Sequence, residues 1–327
     1  MLKKPDKMQH ISEGIPDKQV IQNAAIRMAT YIHQTPVLTS AYLDYKVQGK
    51  LFFKCENFQK AGAFKSRGAF NTLLSLSEKD LKAGVATHSS GNHAQALARA
   101  ASILKTKAYI IMPRTAPKVK IDAVKDYGGI ITFCEPTLEA RETALQKVVE
   151  DNGATFIHPY NDYHIIAGQA SCAMELLHQV NHLDYIFCPV GGGGLLSGTA
   201  LSAKYWSPQT KVIGCEPKGA DDAYRSFVTR KFVPSIKPNS IADGLLTSLG
   251  SLTFPIILEY VNDILTVNED EIISAMRLVW ERLKIVIEPS AAVPLAVVLS
   301  GKIDLKGKHL GIIFSGGNVD LNALPWL

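Results

Sequence analysis

Seven short runs of aliphatic and β-branched residues recur along the chain, separated by longer stretches with helical patterning. Most of these runs are apolar at every position rather than at every second one, which is typical of parallel strands buried on both faces. Strands that alternate with helices in this way predict an α/β fold with doubly wound open sheets. The predicted strands are residues 50–56, 84–88, 108–112, 130–134, 185–190, 211–216 and 309–316.

Helical signals lie between the runs. Residues 91–104 carry alanines and leucines at helical spacing, and Asn268 with Glu271 three positions later has the pattern of a capping box. We find no internal repeat and no linker rich in proline or glycine. A second domain would therefore be inserted into the first rather than joined end to end.

Composition excludes several classes of partner. The 35 basic and 30 acidic residues give a net charge of only +5, without a basic cluster of the kind that binds nucleic acid or a membrane surface. No apolar run approaches the roughly 20 residues of a membrane span. The five cysteines are odd in number and lack a C-x-x-C pair, so we expect buried free thiols. With no secretory leader at the N-terminus, these features predict a cytoplasmic protein.

Three predicted strands end in loops of unusual composition, where open α/β sheets bind ligands. Residues 87–95, THSSGNHAQ, place hydroxyls and free backbone N–H groups before a helix, which suits a carboxylate or phosphate. A simple helix cap is the structural alternative. Four consecutive glycines in residues 188–198 open another helix and predict a phosphate cradle. Ser315 ends the third strand, where a hydroxyl can bond a ligand heteroatom.

Lys65 lies in the apolar, glycine-bounded segment GAFKSRGAFN, and the nearest acidic residue is Glu56, nine positions earlier. Apolar surroundings and a helix N-terminus both disfavour the charged amine, so we expect a lowered pKa. Such a lysine can form a Schiff base with a carbonyl compound. Together with a phosphate-sized glycine loop, this predicts pyridoxal 5'-phosphate as the cofactor.

These motifs resemble those of a known family. FKSRGAFN, SSGNHAQA and GGGGLLSG resemble the lysine, carboxylate and phosphate motifs of fold-type II pyridoxal-phosphate enzymes, in the serine/threonine dehydratase and serine racemase group. The match runs from residues 35–40, TPVLTS, to residues 315–321, SGGNVDL. CEPKGADDAYRS and LVWERLKIVIEPSAAV resemble the eukaryotic-type serine racemases in particular.

The resemblance implies a tryptophan-synthase-β-like architecture with two doubly wound open-sheet domains. Residues 1–80 and 158–327 would form the large cofactor-binding domain. Residues 81–157 would form a small, mobile domain inserted in it. Members of this family are usually homodimers, so we expect a homodimer here.

The resemblance also implies roles for individual residues. Lys65 would hold the cofactor and act as a base, and Ser90 would be the second catalytic residue, on the opposite face of the substrate. The implied cofactor-binding residues are Phe64, Lys65, Asn92, Gly191, Gly192, Gly193, Gly194 and Ser315. The implied substrate-binding residues are Ser89, Ser90, Gly91, Asn92, His93 and Arg141.

A divalent cation is implied as well. The side chains of Glu216 and Asp222 and the carbonyl of Ala220 would bind Mg²⁺, or Mn²⁺ or Ca²⁺, since hard cations prefer oxygen ligands. Without the resemblance, Asp221 and Asp222 would be interpreted as a solvated turn.

The expected activity is that of a serine/threonine ammonia-lyase with serine racemase activity, with serine and threonine as small amino-acid substrates. Alternatives on the same cofactor are a 3-hydroxyaspartate dehydratase and, less well supported, a β-replacement synthase. A non-catalytic amino-acid sensor would be expected to lack Lys65 or Ser90. A nicotinamide dehydrogenase would leave Lys65 unexplained and would need a ribose-binding acid that the glycine loop lacks.

Overall fold

The computed structural model describes residues 14–116 and 118–327, and within them ten strands form two sheets. The strands are β1 (Val37–Leu38), β2 (Lys50–Cys55), β3 (Val85–His88), β4 (Ala108–Pro113), β5 (Ile130–Cys134), β6 (Thr155–Phe156), β7 (Tyr185–Pro189), β8 (Lys211–Pro217), β9 (Asp263–Val267) and β10 (His309–Phe314).

Thirteen α-helices lie between and around these strands in the described part of the chain. They are α1 (Lys18–Met28), α2 (Ala41–Val47), α3 (Lys65–Leu73), α4 (Glu78–Ala83), α5 (Asn92–Ile103), α6 (Lys118–Asp126), α7 (Leu138–Asn152), α8 (Tyr163–Gln179), α9 (Gly194–Trp206), α10 (Asp222–Thr229), α11 (Thr253–Tyr260), α12 (Glu269–Leu283) and α13 (Pro289–Leu299). Asn268 and Glu271 form the predicted capping box of α12. None of the helices described is long and apolar enough to cross a bilayer.

The two sheets confirm the predicted parallel α/β class. The first has six strands in the order β1-β2-β10-β7-β8-β9, in which β1 pairs antiparallel with β2 and the other pairs are parallel. The second has the order β5-β4-β3-β6 and is parallel throughout. All seven predicted strands form. The sequence reasoning missed β1 and β6, which are too short to show a pattern, and the partly exposed edge strand β9.

Both faces of the six-stranded sheet are covered. Phe53, Phe187 and Phe314 pack toward α12 and α13, whereas Ile186 and Ile313 pack toward α8 and α9. This two-sided burial is the reason that the strands are apolar at successive positions. The five cysteines are buried and free, as the sequence predicted.

The four-stranded sheet is covered in the same way. Val85 and Ile110 belong to a core with α3 and α5, and Ala86 and Ile111 belong to a core with α7. All of its strands come from residues 85–156, which lie within the segment 81–157 that the resemblance implies as an inserted domain. The boundaries of that domain stay a prediction.

A buried ion network fixes the position of α3. Arg67 donates from Nε and Nη2 to the carboxylate of Glu56, at 2.7 and 2.8 Å, and from Nη1 and Nη2 to that of Glu175, also at 2.7 and 2.8 Å. Lys54 Nζ donates to Glu175 at 2.7 Å. Two cations and two carboxylates therefore balance in the interior. This ties α3 to β2 and to α8.

Glycine allows α3 to approach α8 closely. A Cβ on Gly168 would lie 2.7 Å from the Cα of Gly68, and a Cβ on Gly68 would lie 3.0 Å from the carbonyl oxygen of Ile165. The first distance excludes a side chain on Gly168, and the second would force the backbone of α8 to shift. The close contact brings Arg67 within reach of Glu175.

We expect Arg67→Met to lower the free energy of unfolding by about 3–5 kcal/mol, because it leaves the buried Glu56 and the largely buried Glu175 with one cation. Urea titration followed by circular dichroism measures the loss. Arg277→Met is the matched control, since Arg277 pairs with Glu281 on the exposed face of α12. That change should cost less than about 1 kcal/mol. Equal losses in the two variants would contradict a dominant role for the buried network.

Candidate active site

Lys65 is the first residue of α3, and the segment before it is tied to the end of β10. Ala63 forms a β-bridge with Gly316, and the Phe64 N–H donates to the carbonyl oxygen of Ser315 at 3.0 Å. The strand-end serine and the lysine, far apart in sequence, are therefore neighbours in the fold.

The Lys65 side chain is half-buried, and its amine lies beside an aromatic ring. Its Nζ donates to the carbonyl oxygen of Pro159 at 2.8 Å and lies 5.2 Å from the centroid of the Phe64 ring. Burial lowers the pKa of Lys65 to about 8, and the carboxyl of Glu288 partly opposes this effect. The lowered pKa that the sequence predicted is therefore present, and it increases the fraction of nucleophilic amine near neutral pH.

The glycine loop lies between β7 and α9. Gly193 has a φ of +87°, and a Cβ on Gly192 would lie 2.3 Å from the ring of Tyr160, so side chains are excluded at both positions. The N-terminus of α9 has no side-chain cap. Its first N–H groups are therefore not capped by a side chain and suit an anion.

The serine and asparagine loop follows β3 in the same way. α5 begins at Asn92, with Gly91 as an N-cap residue that supplies no side-chain bond. The Ser89 hydroxyl accepts from the Gly91 N–H at 3.4 Å, and Ser90 is half-buried. A second helix N-terminus without a side-chain cap thus lies at the carboxyl edge of the second sheet.

Asn92 connects this loop to the segment that carries Lys65. Its Nδ2 donates to Glu288 at 2.8 Å, and its Oδ1 accepts from Asn318 Nδ2 at 2.9 Å. Asn318 Nδ2 also donates to the carbonyl oxygen of Ala61 at 2.8 Å. Asn92, Ser315 and Lys65 therefore line one place in the fold.

The sequence reasoning missed Glu288. Burial raises its pKa to about 7, with a further contribution from the charge of Asp243, and its Oε2 has no hydrogen-bond partner among the described residues. In the sequence, Glu288 is an isolated acid directly before the apolar run that forms α13. An acid at this position is also typical of a helix N-terminus, so it did not indicate a functional site.

A turn of residues 158–161 links Lys65 to the glycine loop. His158 Nδ1 accepts from the N–H groups of Tyr160 and Asn161, at 3.2 and 2.9 Å. The turn supplies the Pro159 carbonyl to Lys65 and places the Tyr160 ring against Gly192. No sequence signal marks these contacts, because they depend on a carbonyl and on a ring nitrogen.

The two remaining residues predicted to bind substrate lie in different surroundings. His93 is buried, with Nε2 3.4 Å from the carbonyl oxygen of Ile157, and burial together with the charge of Lys65 lowers its pKa. Arg141 lies on α7, and its charge lowers the pKa of His88 in addition to burial. Arg141 Nε is buried without a partner in the described chain, so its contact with a substrate carboxylate stays a prediction.

The predicted cation ligands lie together at the end of β8. Burial raises the pKa of Glu216 to about 9 and that of Asp222 to about 6. Glu216 accepts the N–H groups of Ala223 and Tyr224, at 2.9 and 2.8 Å, whereas both carboxylate oxygens of Asp222 lack hydrogen-bond partners among the described residues.

Two neighbouring buried acids, of which Asp222 has unpartnered oxygens, fit a cation site together with the carbonyl of Ala220 in the connecting turn. The described residues contain no cluster of three or more His, Cys, Asp or Glu side chains of the kind that holds a metal ion. A cation at this site would therefore be bound by two carboxylates, one carbonyl oxygen and water.

The groups around Lys65 fit pyridoxal phosphate. An amine of lowered pKa suits its aldehyde, and the α9 N-terminus with its glycines suits its phosphate. Asn92 and Ser315 are polar side chains near this amine, and their contact with the cofactor ring stays a prediction. The fold and site thus define an α/β enzyme that binds a phosphorylated carbonyl cofactor between two open sheets.

Comparison with known proteins agrees with this class. The family model "Pyridoxal-phosphate dependent enzyme" matches residues 28–316, and the chain belongs to this family. A β-hydroxyaspartate dehydratase from Paracoccus denitrificans is 48% identical, over 95% of this chain and 99% of that protein. The serine racemase of Dictyostelium discoideum is 50% identical, over 93% and 95%. The crystal structure of a T.th. threonine deaminase is 41% identical, with a TM-score of 0.89 and coverage of 94% and 99%.

We expect Lys65→Ala protein to remain colourless with pyridoxal phosphate and to form no covalent adduct after borohydride reduction, as measured by absorbance and mass spectrometry. Lys79→Ala, on the exposed helix α4, is the control and should become yellow. In the wild-type apoprotein the rate of cofactor uptake should rise with pH with a midpoint near 8, because only the unprotonated amine reacts. A labelled lysine other than Lys65 would refute the assignment.

Proposed function

We propose that this protein is a serine/threonine ammonia-lyase that also interconverts L-serine and D-serine. L-serine would give pyruvate and ammonia, and L-threonine would give 2-oxobutyrate and ammonia. The observation that carries the proposal is the half-buried Lys65 amine, which donates to the Pro159 carbonyl beside the glycine loop. Asn92 and Asn318 connect the chain just before Lys65 to the N-terminus of α5, and neither α5 nor α9 has a side-chain cap. The serine racemase and threonine deaminase relatives support it.

The glycine loop and two polar side chains would bind the cofactor. Gly191, Gly192, Gly193 and Gly194 would hold the phosphate, Asn92 the ring hydroxyl and Ser315 the ring nitrogen. Pyridoxal phosphate, when bound, withdraws electrons from the substrate α-carbon and acidifies its proton.

The side chains of Lys65 and Ser90 would transfer the protons. The free amine of Lys65 would take the α-proton, for which a pKa near the working pH is favourable. Phe64 keeps water from the amine. N–H groups and side chains of residues 89–93 bind the α-carboxylate. Loss of the β-hydroxyl as water, followed by hydrolysis that returns one water and releases ammonia, would give the ammonia-lyase products. Return of a proton to the α-carbon from Ser90, on the opposite side, would give the other enantiomer.

The main rival is a 3-hydroxyaspartate dehydratase. The Paracoccus relative carries that activity in its name and covers nearly the same length as this chain. Such a substrate has the same β-hydroxyl as serine and an additional carboxylate. A β-replacement synthase has no comparable support among these relatives.

Further parts of the proposal concern the assembly. We infer a homodimer from the resemblance, and residues 81–157 as a small domain that closes over the substrate. The buried free cysteines support a reducing compartment such as the cytoplasm.

We also propose that Glu216, Asp222 and the Ala220 carbonyl bind Mg²⁺, Mn²⁺ or Ca²⁺. Adding the cation to chelator-treated holoenzyme should raise the midpoint of thermal unfolding, by about 2.7 kcal/mol of stabilisation at 100 times Kd. Asp222→Asn should abolish this response. Asp221→Asn should keep it, because Asp221 pairs instead with Arg225 at 2.7 Å. A thermal response that persists in Asp222→Asn would show that the cation binds elsewhere.

The decisive test of function is chiral analysis of amino acids together with a pyruvate assay on L-serine. Wild-type protein should form both D-serine and pyruvate. Ser90→Ala should lower D-serine formation by about 100-fold and pyruvate formation much less, since it removes one proton donor. Ser102→Ala, exposed on α5, is the control. Parallel loss of both products would demote Ser90 to a binding residue, and absence of both in wild type would exclude serine as substrate.

A further inference from the structure

An ion pair joins the two sheets next to the carboxylate loop. Lys120 on α6 donates from Nζ to Asp243 Oδ2, and Asp243 lies in the connection between α10 and α11. The Lys120 side chain is only 9% exposed, whereas that of Asp243 is 46% exposed. The ammonium is therefore enclosed, and its carboxylate partner is open to solvent.

The Lys120 ammonium faces the predicted substrate site. A Cβ on Gly91 would have Lys120 Nζ as its nearest neighbour, at 3.9 Å. The charges of both Asp243 and Lys120 act on Glu288, which in turn accepts from Asn92. The ion pair thus lies beside the loop that would hold the α-carboxylate.

Serine and threonine do not account for this cation. Their single carboxylate is provided for by the N–H groups and hydroxyls of residues 89–93. A buried ammonium is costly without a negative partner, so Lys120 needs a carboxylate at all times. Asp243 supplies one in the free protein, and its exposure allows another carboxylate to take its place.

We propose that Lys120 is a specificity-determining residue that binds the side-chain carboxylate of a dicarboxylic amino acid, and that Asp243 competes with that carboxylate. The inference rests on the proposed function, since it concerns the same site. The inference adds 3-hydroxy dicarboxylic amino acids, with 3-hydroxyaspartate as the simplest member, to the serine and threonine of the proposed function. The α C–H and β C–O bonds break and water leaves. Hydrolysis returns the water, and the sum is oxaloacetate and ammonia.

The first test is the ratio of kcat/KM for 3-hydroxyaspartate to that for L-serine, measured on the holoenzyme. Lys120→Met should lower the ratio at least about tenfold, the value of one charged hydrogen bond. Asp243→Asn should raise it, because the competing carboxylate is gone. Lys125→Met and Asp122→Asn, exposed on the same helix, should leave it unchanged. An unchanged ratio in both test variants overturns the proposal.

Binding of succinate and butyrate by calorimetry tests the same residue without turnover. Holoenzyme should bind the dicarboxylate more tightly than the monocarboxylate. Lys120→Met should remove most of that preference, Asp243→Asn should increase it, and Asp243→Glu should restore the wild-type value. Equal preference in wild type and Lys120→Met overturns the inference. If wild type turns over neither hydroxy amino acid, the proposed function fails while the succinate result still decides the role of Lys120.

Discussion

The guanidinium of Arg67, held between two carboxylates, is the interaction on which the rest of the site depends. Arg67 lies two residues after Lys65 on α3, so any displacement of this helix moves the amine. The network neutralises its own charges, which keeps their field away from Lys65. Burial by itself would lower the pKa of Arg67, but the carboxylates of Glu56 and Glu175 outweigh that cost and raise it well above its ordinary value. This charge-balanced ion network therefore fixes the position of the Lys65 amine, which is itself poorly solvated.

Charge is distributed unevenly around Lys65. The nearby histidines favour the neutral form, since burial, His88 and Lys65 lower the pKa of His158 to about 3. The acid near Lys65, Glu288, has a pKa raised by burial to about 7. The cations Lys120 and Arg141 belong to helices that cover the second sheet. The reactive amine thus lies at the start of α3, beside the end of β10 in the first sheet, whereas both of these cations lie on helices of the second.

The sequence-based predictions succeeded for features whose defining residues lie within one short stretch of the chain. Continuous apolar runs predict strands that helices cover on both faces. Glycine and serine loops after such runs predict sites at the carboxyl edge of a sheet. The contacts that complete the site were missed because they span long separations: Lys65 to Pro159 spans 94 residues, Asn92 to Glu288 spans 196, and Lys120 to Asp243 spans 123.

The sequence by itself determined the fold class, the family resemblance and the loops that contain Lys65, Ser90 and the glycines. Each of these depends on local composition, which a single stretch of chain displays. Only the tertiary structure decided which carbonyl holds the Lys65 amine, which acid lies beside it and which cation faces Gly91. Those facts depend on how two sheets meet, and desolvation and charge pairing arise only once distant segments are packed together.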